Sequence, residues 1–121
     1  MAMHHKLPIH KTGSSLLAHA TTILVKMDRQ YKRAVGEKFV EHCSDMLNLL
    51  ALANATRGRQ RVQYLQDLLA HHRAAPTWLR VAMELKVVAP AHWAAAVQML
   101  ESISKQATRW SATTRQPAPA K

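Results

Sequence analysis

One apolar repeat constrains the fold of this chain more than any other feature of its sequence. Between positions 35 and 53 an apolar residue recurs after four, four, three, four and three residues. This spacing returns to the same face of an α-helix at every turn, whereas a half-buried β-strand would need a period of two. The segment therefore predicts a helix with one buried face, formed by Val35, Phe39, Cys43, Met46, Leu50 and Ala53.

A first helix is predicted upstream of this repeat. The segment "TGSSLL" offers Thr12, Ser14 or Ser15 as an N-cap, because a hydroxyl side chain can accept a hydrogen bond from the free backbone N–H groups at a helix start. Apolar residues then follow at helical intervals from Leu16 to Met27. We expect the first helix to end near Met27.

Two more helices are predicted after the repeat. The third covers residues 59–87 approximately and contains Pro76, which lacks a backbone donor and clashes with the carbonyl four residues earlier. We therefore expect a kink at this proline. A short joint, "VVAP", leads to a fourth helix, in which Pro90 suits the first turn and the apolar face runs from Trp93 to Trp110.

Four helices joined by short connections predict an all-α fold, an up-down-up-down four-helix bundle. The length of 121 residues suits one such domain. We assign residues 1–11 to a flexible N-terminal segment, residues 12–112 to the bundle, and residues 113–121 to a disordered basic tail rich in proline and alanine. Three or five helices are the alternatives, depending on the effect of Pro76.

Side chains that could form an active site are few. The only carboxylate series is Glu37, Glu41 and Asp45, which has no histidine at the spacing of helical metal-binding motifs and is typical of a solvated helix face. The three glycines are isolated, so they form no glycine-rich phosphate loop. We predict that the chain is not an enzyme.

The histidines and the cysteine show no metal-binding pattern. His71 and His72 are adjacent, as are His42 and Cys43, and adjacent side chains on a helix point about 100° apart, so neither pair can chelate one ion. Structural zinc sites use several closely spaced thiolates, whereas Cys43 is the only cysteine. We expect no metal and no other cofactor.

The strongest indication of function is the charge. Seventeen Lys and Arg against seven Asp and Glu give a formal net charge of +10, and such a surplus usually has an anionic partner. The bases cluster before and after the second helix, and two arginines share a face of the third. No apolar run resembles a signal peptide or a membrane span, so we expect a cytoplasmic protein without a membrane partner.

The segment "MLNLLALA", residues 46–53, is apolar almost all the way round. One bundle needs only one apolar face per helix. A second apolar face predicts contact with another copy of the chain. The candidate interface residues are Met46, Leu47, Leu49 and Leu52.

Three segments resemble a known family. They are "YKRAVGEKFVEHCSDMLNLLALAN" at 31–54, "WLRVAMELKVV" at 78–88 and "ESISKQATRW" at 101–110. The first resembles the second helix of the four-helix bundle superfamily that contains Avd, the accessory variability determinant of diversity-generating retroelements, and the proteins encoded in ribosomal RNA intervening sequences. In that superfamily a tyrosine, a glycine and a lysine open the helix, as Tyr31, Gly36 and Lys38 do here. The strong positive charge favours Avd.

The resemblance implies a homopentameric barrel of bundles without an active site. Avd proteins bind a reverse transcriptase and its template RNA, and the DNA copied from it is a further candidate partner; they are needed for mutagenic retrohoming. The alternatives are a stand-alone structural bundle of the ribosomal intervening-sequence type and a small metal-binding or ligand-binding bundle. The candidate residues for contacts with nucleic acid or reverse transcriptase are Arg29, Lys32, Arg33, Arg57, Arg59, Arg61, Arg73, Arg80 and Arg109.

Overall fold

Four helices account for nearly all of residues 7–115, which are the residues that the computed structural model describes. They are α1 (Pro8–Lys26), α2 (29–55), α3 (Gly58–Glu84) and α4 (Pro90–Arg115). No strand occurs within this part of the chain. The predicted all-α fold is confirmed, and the arrangement is that of a four-helix bundle. No helix among the described residues has the length and apolar character needed to cross a membrane.

Each helix of the bundle packs against two neighbours. Helix α1 packs against α2 and α4, and α3 packs against the same two helices from the other side. Because short connections join neighbouring helices, successive helices run in opposite directions. The starts of α1 and α3 therefore meet the ends of α2 and α4 at what we call the α2–α3 end. The opposite end carries the connections 27–28 and 85–89, and we call it the two-loop end.

The core contains every member of the apolar repeat. All six of its residues are at most 4% exposed, which confirms the buried face predicted for α2. Large apolar side chains from the other helices fill the space opposite them, and burial of one such side chain stabilises the fold by about 1.5–3 kcal/mol. These include Leu16 from α1, Leu65, Leu68 and Leu79 from α3, and Leu100 and Ile103 from α4.

Helix α1 starts earlier than predicted. Pro8 is its first residue and Leu7 its N-cap, a placement that proline favours because a first-turn N–H has no partner within the helix. Thr12 does not cap the helix, since its hydroxyl donates to the Pro8 carbonyl at 3.0 Å. Ile9 is part of the core, so the boundary at residue 12 is wrong.

The predicted C-terminal boundary of the bundle, residue 112, also differs from the structure. Helix α4 continues to Arg115, three residues beyond the predicted end of the bundle. The predictions of a flexible segment over 1–6 and of a disordered tail over 116–121 lie outside the described residues.

Helix α2 contains a π-helical turn near its start. Residues Arg29–Tyr31 are α-helical, Lys32–Gly36 are π-helical, and the α-helix resumes at Glu37, whose N–H donates to the Lys32 carbonyl. The turn places Gly36 against α1, where a Cβ atom would overlap Leu24 Cδ1. Gly36 therefore permits a close contact between α1 and α2.

Helix α3 runs through Pro76 without a break from Gly58 to Glu84. The proline is half-buried, and Ala75 and Leu79 beside it are core residues. Packing of this segment in the core offsets the loss of one backbone hydrogen bond. The three-helix and five-helix alternatives are therefore wrong for residues 7–115.

Candidate nucleic-acid interface

A tight connection positions the arginines that follow α2. Helix α2 ends at Ala55, where the Thr56 hydroxyl donates to the carbonyl of Leu52 at 2.9 Å. Gly58 then has φ of +56°, a conformation that residues with a Cβ atom rarely adopt. This reversal starts α3 after only two connecting residues, and Arg57 and Arg59 on either side of Gly58 are exposed.

The α2–α3 end of the bundle also carries basic residues from two other helix termini, the start of α1 and the end of α4. Lys11 lies in the first turns of α1, and Arg109 and Arg115 lie in the last turns of α4; all three are exposed. We call this set the basic end: Lys11, Arg57, Arg59, Arg61, Arg109 and Arg115. No Asp or Glu occurs in the segments that contain these residues, which span 7–27, 46–66 and 102–115. The positive potential here has no local acidic counterpart.

Ion pairing does not neutralise these cations. Among residues 7–115 the one charged contact that could form a salt bridge joins His71 to Asp45 at 3.9 Å. No lysine or arginine of the described chain lies within salt-bridge distance of a carboxylate. The charges of the basic end are therefore not neutralised by carboxylates of residues 7–115.

Arg61 differs from the other members of the basic end. Its Nε donates to the Ala53 carbonyl at 2.9 Å, a carbonyl in the last turn of α2 that otherwise accepts longer contacts from Thr56, at 3.4 Å and 3.3 Å. Its guanidinium carbon lies 5.1 Å from the ring centroid of Trp110, within the range of a cation–π contact. Arg61 thus joins α2, α3 and α4 and is less available than Arg57 and Arg59 to a partner.

An open groove of about 460 Å³ lies beside this contact. Apolar residues at the start of α1 form one part of its wall, and polar and basic residues from the ends of the other helices form the rest. Its lining consists of Leu7, Pro8, Ile9, Asn54, Arg61, Gln106, Arg109, Trp110 and Thr113. The sequence interpretation placed Trp110 in the core; the residue is half-buried and packs on the core while it also lines this groove.

The basic cluster before α2 lies at the other end of the bundle. Arg29 and Arg33 are exposed and Lys32 is half-buried. At 1.5 Å per residue, about 35 Å of helix separates this cluster from Arg57. Asp28, Glu37 and Glu84 belong to the same two-loop end, so its charge is partly balanced.

Arg73 and Arg80 form a third basic site, on the side of α3. Both are exposed, and because the helix is continuous through Pro76, seven residues return them to the same face. Arg80 lines a smaller groove of about 280 Å³ between α3 and α4 together with Glu101. The nine basic candidates therefore occupy three separate places. Arg57, Arg59, Arg61 and Arg109 share the basic end, while the cluster before α2 lies at the two-loop end and the arginine pair lies on the side of α3.

The candidate interface residues on α2 are mostly used within the bundle. Met46 is 1% exposed and belongs to the core, so its assignment to a contact with another copy is wrong. Leu47 faces α1 beside Gly13, and Leu49 is half-buried against the core. Only Leu52 of the four is exposed, at 44%. Packing inside one chain thus accounts for most of the apolar surplus in this segment.

Two histidines that are distant in sequence form a contact that the sequence did not predict. His42 Nδ1 and His71 Nδ1 lie 3.0 Å apart across α2 and α3, so one ring donates and the other accepts. Burial, and then the proximity of His71, lower the pKa of His42. Among the described residues no group of three or more His, Cys, Asp or Glu is placed to hold a metal ion.

Burial also shifts the pKa values of two other side chains, His72 and Cys43. Burial lowers the pKa of His72, partly opposed by a hydrogen bond to the Leu100 backbone. Burial raises the pKa of the Cys43 thiol to about 12, so at neutral pH it is a protonated thiol and a poor nucleophile.

The chain matches no protein-family model and no curated protein sequence.

Proposed function

We propose that this chain is a non-catalytic accessory protein of a diversity-generating retroelement, which binds template RNA and its DNA copy together with a reverse transcriptase in the cytoplasm. The observation that carries the proposal is the basic end, where exposed arginines and a lysine from α1, the α2–α3 connection, α3 and α4 meet without a neighbouring carboxylate. The reverse transcriptase partner and the role in retrohoming are proposed from the resemblance to Avd.

Nucleic acid suits this surface better than a membrane does. A membrane-binding helix carries bases on one face and exposed Trp, Phe or Leu on the other. The large apolar residues that are strongly exposed in residues 7–115 are Val25, Leu52 and Leu85. Of these only Leu52, in the last turn of α2, lies near the basic end, and one leucine does not form the apolar face of a membrane-binding helix. Phosphates of a flexible strand can reach cations that project from separate helix termini.

Assembly into a pentamer is part of the proposal and comes from the resemblance alone. Five chains with a net charge of +10 each would carry about +50, and such a field increases the rate of association with RNA. Leu52 is the member of the candidate interface that remains exposed, so its substitution by glutamate is the first test of assembly. A fall in mass from oligomer to monomer is the expected result; an unchanged mass would exclude Leu52 from the interface.

The basic end is tested by the salt dependence of RNA binding. The variant replaces Arg57, Arg59, Arg109 and Arg115 with glutamine. For single strands the slope of log K against log salt is about −0.7 per phosphate neutralised, so we expect the slope to become shallower by about 3. The matched control removes the same charge from the two-loop end by replacing Lys26, Arg29, Arg33 and Lys38 with glutamine, all of which are exposed.

The comparison of these variants separates the basic end from net charge. A large change only in the first variant supports the basic end. Equal changes in both would show that total charge, not this surface, governs binding. Tight binding that neither variant weakens would contradict an electrostatic interface.

The reverse transcriptase contact has its own test. We expect replacement of Arg73 and Arg80 with glutamate to release a co-expressed reverse transcriptase and its RNA at about 150 mM salt, where exposed charges still interact over about 8 Å. Retention of both partners would exclude these two arginines. A protein that binds neither RNA nor polymerase would instead fit the stand-alone structural bundle.

A further inference from the structure

The groove at the basic end combines a partly accessible aromatic ring with cations. Trp110 lines the groove, and Arg61 lies over its ring at 5.1 Å. Arg109 lines the same groove, and the exposed Arg57, Arg59 and Arg115 belong to the same end. Surfaces that bind single-stranded nucleic acid without sequence preference combine these elements, because every base has a π face and every nucleotide a phosphate.

We propose that this groove holds one unstacked base of a single-stranded nucleic acid, with Trp110 as the aromatic wall and Arg109 as a phosphate ligand. The inference deepens the proposed function and rests on it, since the rest of the strand would follow the basic end. The groove volume of about 460 Å³ is within the usual range for a small-molecule site, about 300–1,000 Å³.

The other lining residues suit a base rather than a purely apolar ligand. Leu7, Pro8 and Ile9 give an apolar wall, and Gln106 and Asn54 place amide groups in the lining. The Gln106 Nε2 donates to Ser102 Oγ at 2.9 Å, which orients the amide and leaves its carbonyl oxygen able to accept from a base edge.

A duplex would not use this groove in the same way. Its base faces are stacked on one another and unavailable to Trp110, although its phosphates can still contact the exposed arginines. The groove therefore predicts a preference for single strands, in addition to the general attraction of RNA to the basic end.

The preference is tested with two probes, an unstructured uridine oligomer of about 12 nucleotides and a duplex RNA of equal length, a size within the range of single-strand binding sites. Trp110→Leu keeps apolar bulk and removes the aromatic face. The matched control is Trp93→Leu, since Trp93 is also a half-buried tryptophan of α4 but lines the groove that contains Arg80. Circular dichroism confirms that each variant folds.

We expect Trp110→Leu to weaken binding of the single strand about tenfold, in line with the stacking of one base, and to leave duplex binding within about twofold. Trp93→Leu should change neither affinity. In a chain with Trp78 and Trp93 replaced by phenylalanine, the uridine oligomer should quench the emission of Trp110, and this measurement remains decisive if Trp110→Leu does not fold.

Failure of the groove and failure of the proposed function give different results. The base site is refuted if three results occur together: both probes bind, the oligomer leaves Trp110 emission unchanged, and folded Trp110→Leu binds the single strand as tightly as the parent chain does. The basic end would still be supported by that outcome. If neither probe binds even in dilute buffer, the proposed function itself is refuted.

Discussion

Arg59 and Arg61 are two residues apart in one basic cluster, yet the structure gives them different roles. Arg61 donates a hydrogen bond to the Ala53 carbonyl and contacts the ring of Trp110, whereas Arg59 is exposed. Substitution of each by alanine removes the same charge from the same end. The difference between the two variants therefore isolates the contacts of Arg61.

The expected cost of Arg61→Ala follows from those contacts. A hydrogen bond from a charged donor contributes about 1.5–3 kcal/mol, and we take the low end because Arg61 is only half-buried. A cation–π contact at such a site adds about 0.5–1 kcal/mol. We expect a loss of about 2 kcal/mol, or about 8 °C in Tm at about 4 °C per kcal/mol for a domain of this size.

The assay is thermal and urea unfolding followed by far-UV circular dichroism. Arg59→Ala should stay within about 0.5 kcal/mol of the parent chain, as is usual for exposed positions. A double-mutant cycle with Trp110→Leu should give a coupling of about 0.5–1 kcal/mol between the arginine and the ring. Equal stabilities of the Arg61→Ala and Arg59→Ala variants would refute the structural role of Arg61.

Three further predictions concern the interior. Gly36→Ala should lower the free energy of unfolding, measured in urea, by about 1 kcal/mol. Overpacking against Leu24 costs about 1–3 kcal/mol, whereas the helical preference of alanine returns about 1 kcal/mol. Leu24→Ala in the same chain should remove part of that cost, and purely additive effects of the two substitutions would contradict the contact. The lowered pKa values of His42 and His72 mean that the unfolded chain binds more protons, so their contribution to stability is present above the unfolded pKa of about 6.5 and lost as pH falls below it. Replacing both with asparagine should flatten the fall in Tm between about pH 7.5 and pH 5.5, and an unchanged slope would refute this linkage. The Cys43 thiol, with its pKa raised to about 12, should react with a thiol reagent at pH 8 only at the rate of unfolding; rapid labelling of the native chain would show that the core around it is open.

Much of the fold could be predicted from the sequence because helix periodicity is a local property. The six apolar residues from Val35 to Ala53 are all buried as their spacing requires. The predicted start of the bundle at residue 12 is too late, because proline is favoured in a first helical turn and Pro8 occupies that position. The π-helical turn at Lys32–Gly36 has no periodic signature in the sequence.

The candidate site was predictable as a set of charges but not as a surface. Sequence spacing treats Arg57, Arg59 and Arg61 alike, and only the contacts with the Ala53 carbonyl and with Trp110 distinguish Arg61. The same limit applies to His42 and His71, which are 29 residues apart in sequence and 3.0 Å apart in space. A search for basic and aromatic residues near predicted helix termini could have indicated the groove beside Trp110.

The order and type of residues are sufficient to specify four amphipathic helices and a surplus of cations. Which helix termini meet depends on how those helices pack, and so do the set of cations that share one end and the arginine that is held by its own fold. An apolar face specifies burial without specifying a partner, and the partner is fixed when four such faces pack together and short connections determine the neighbours.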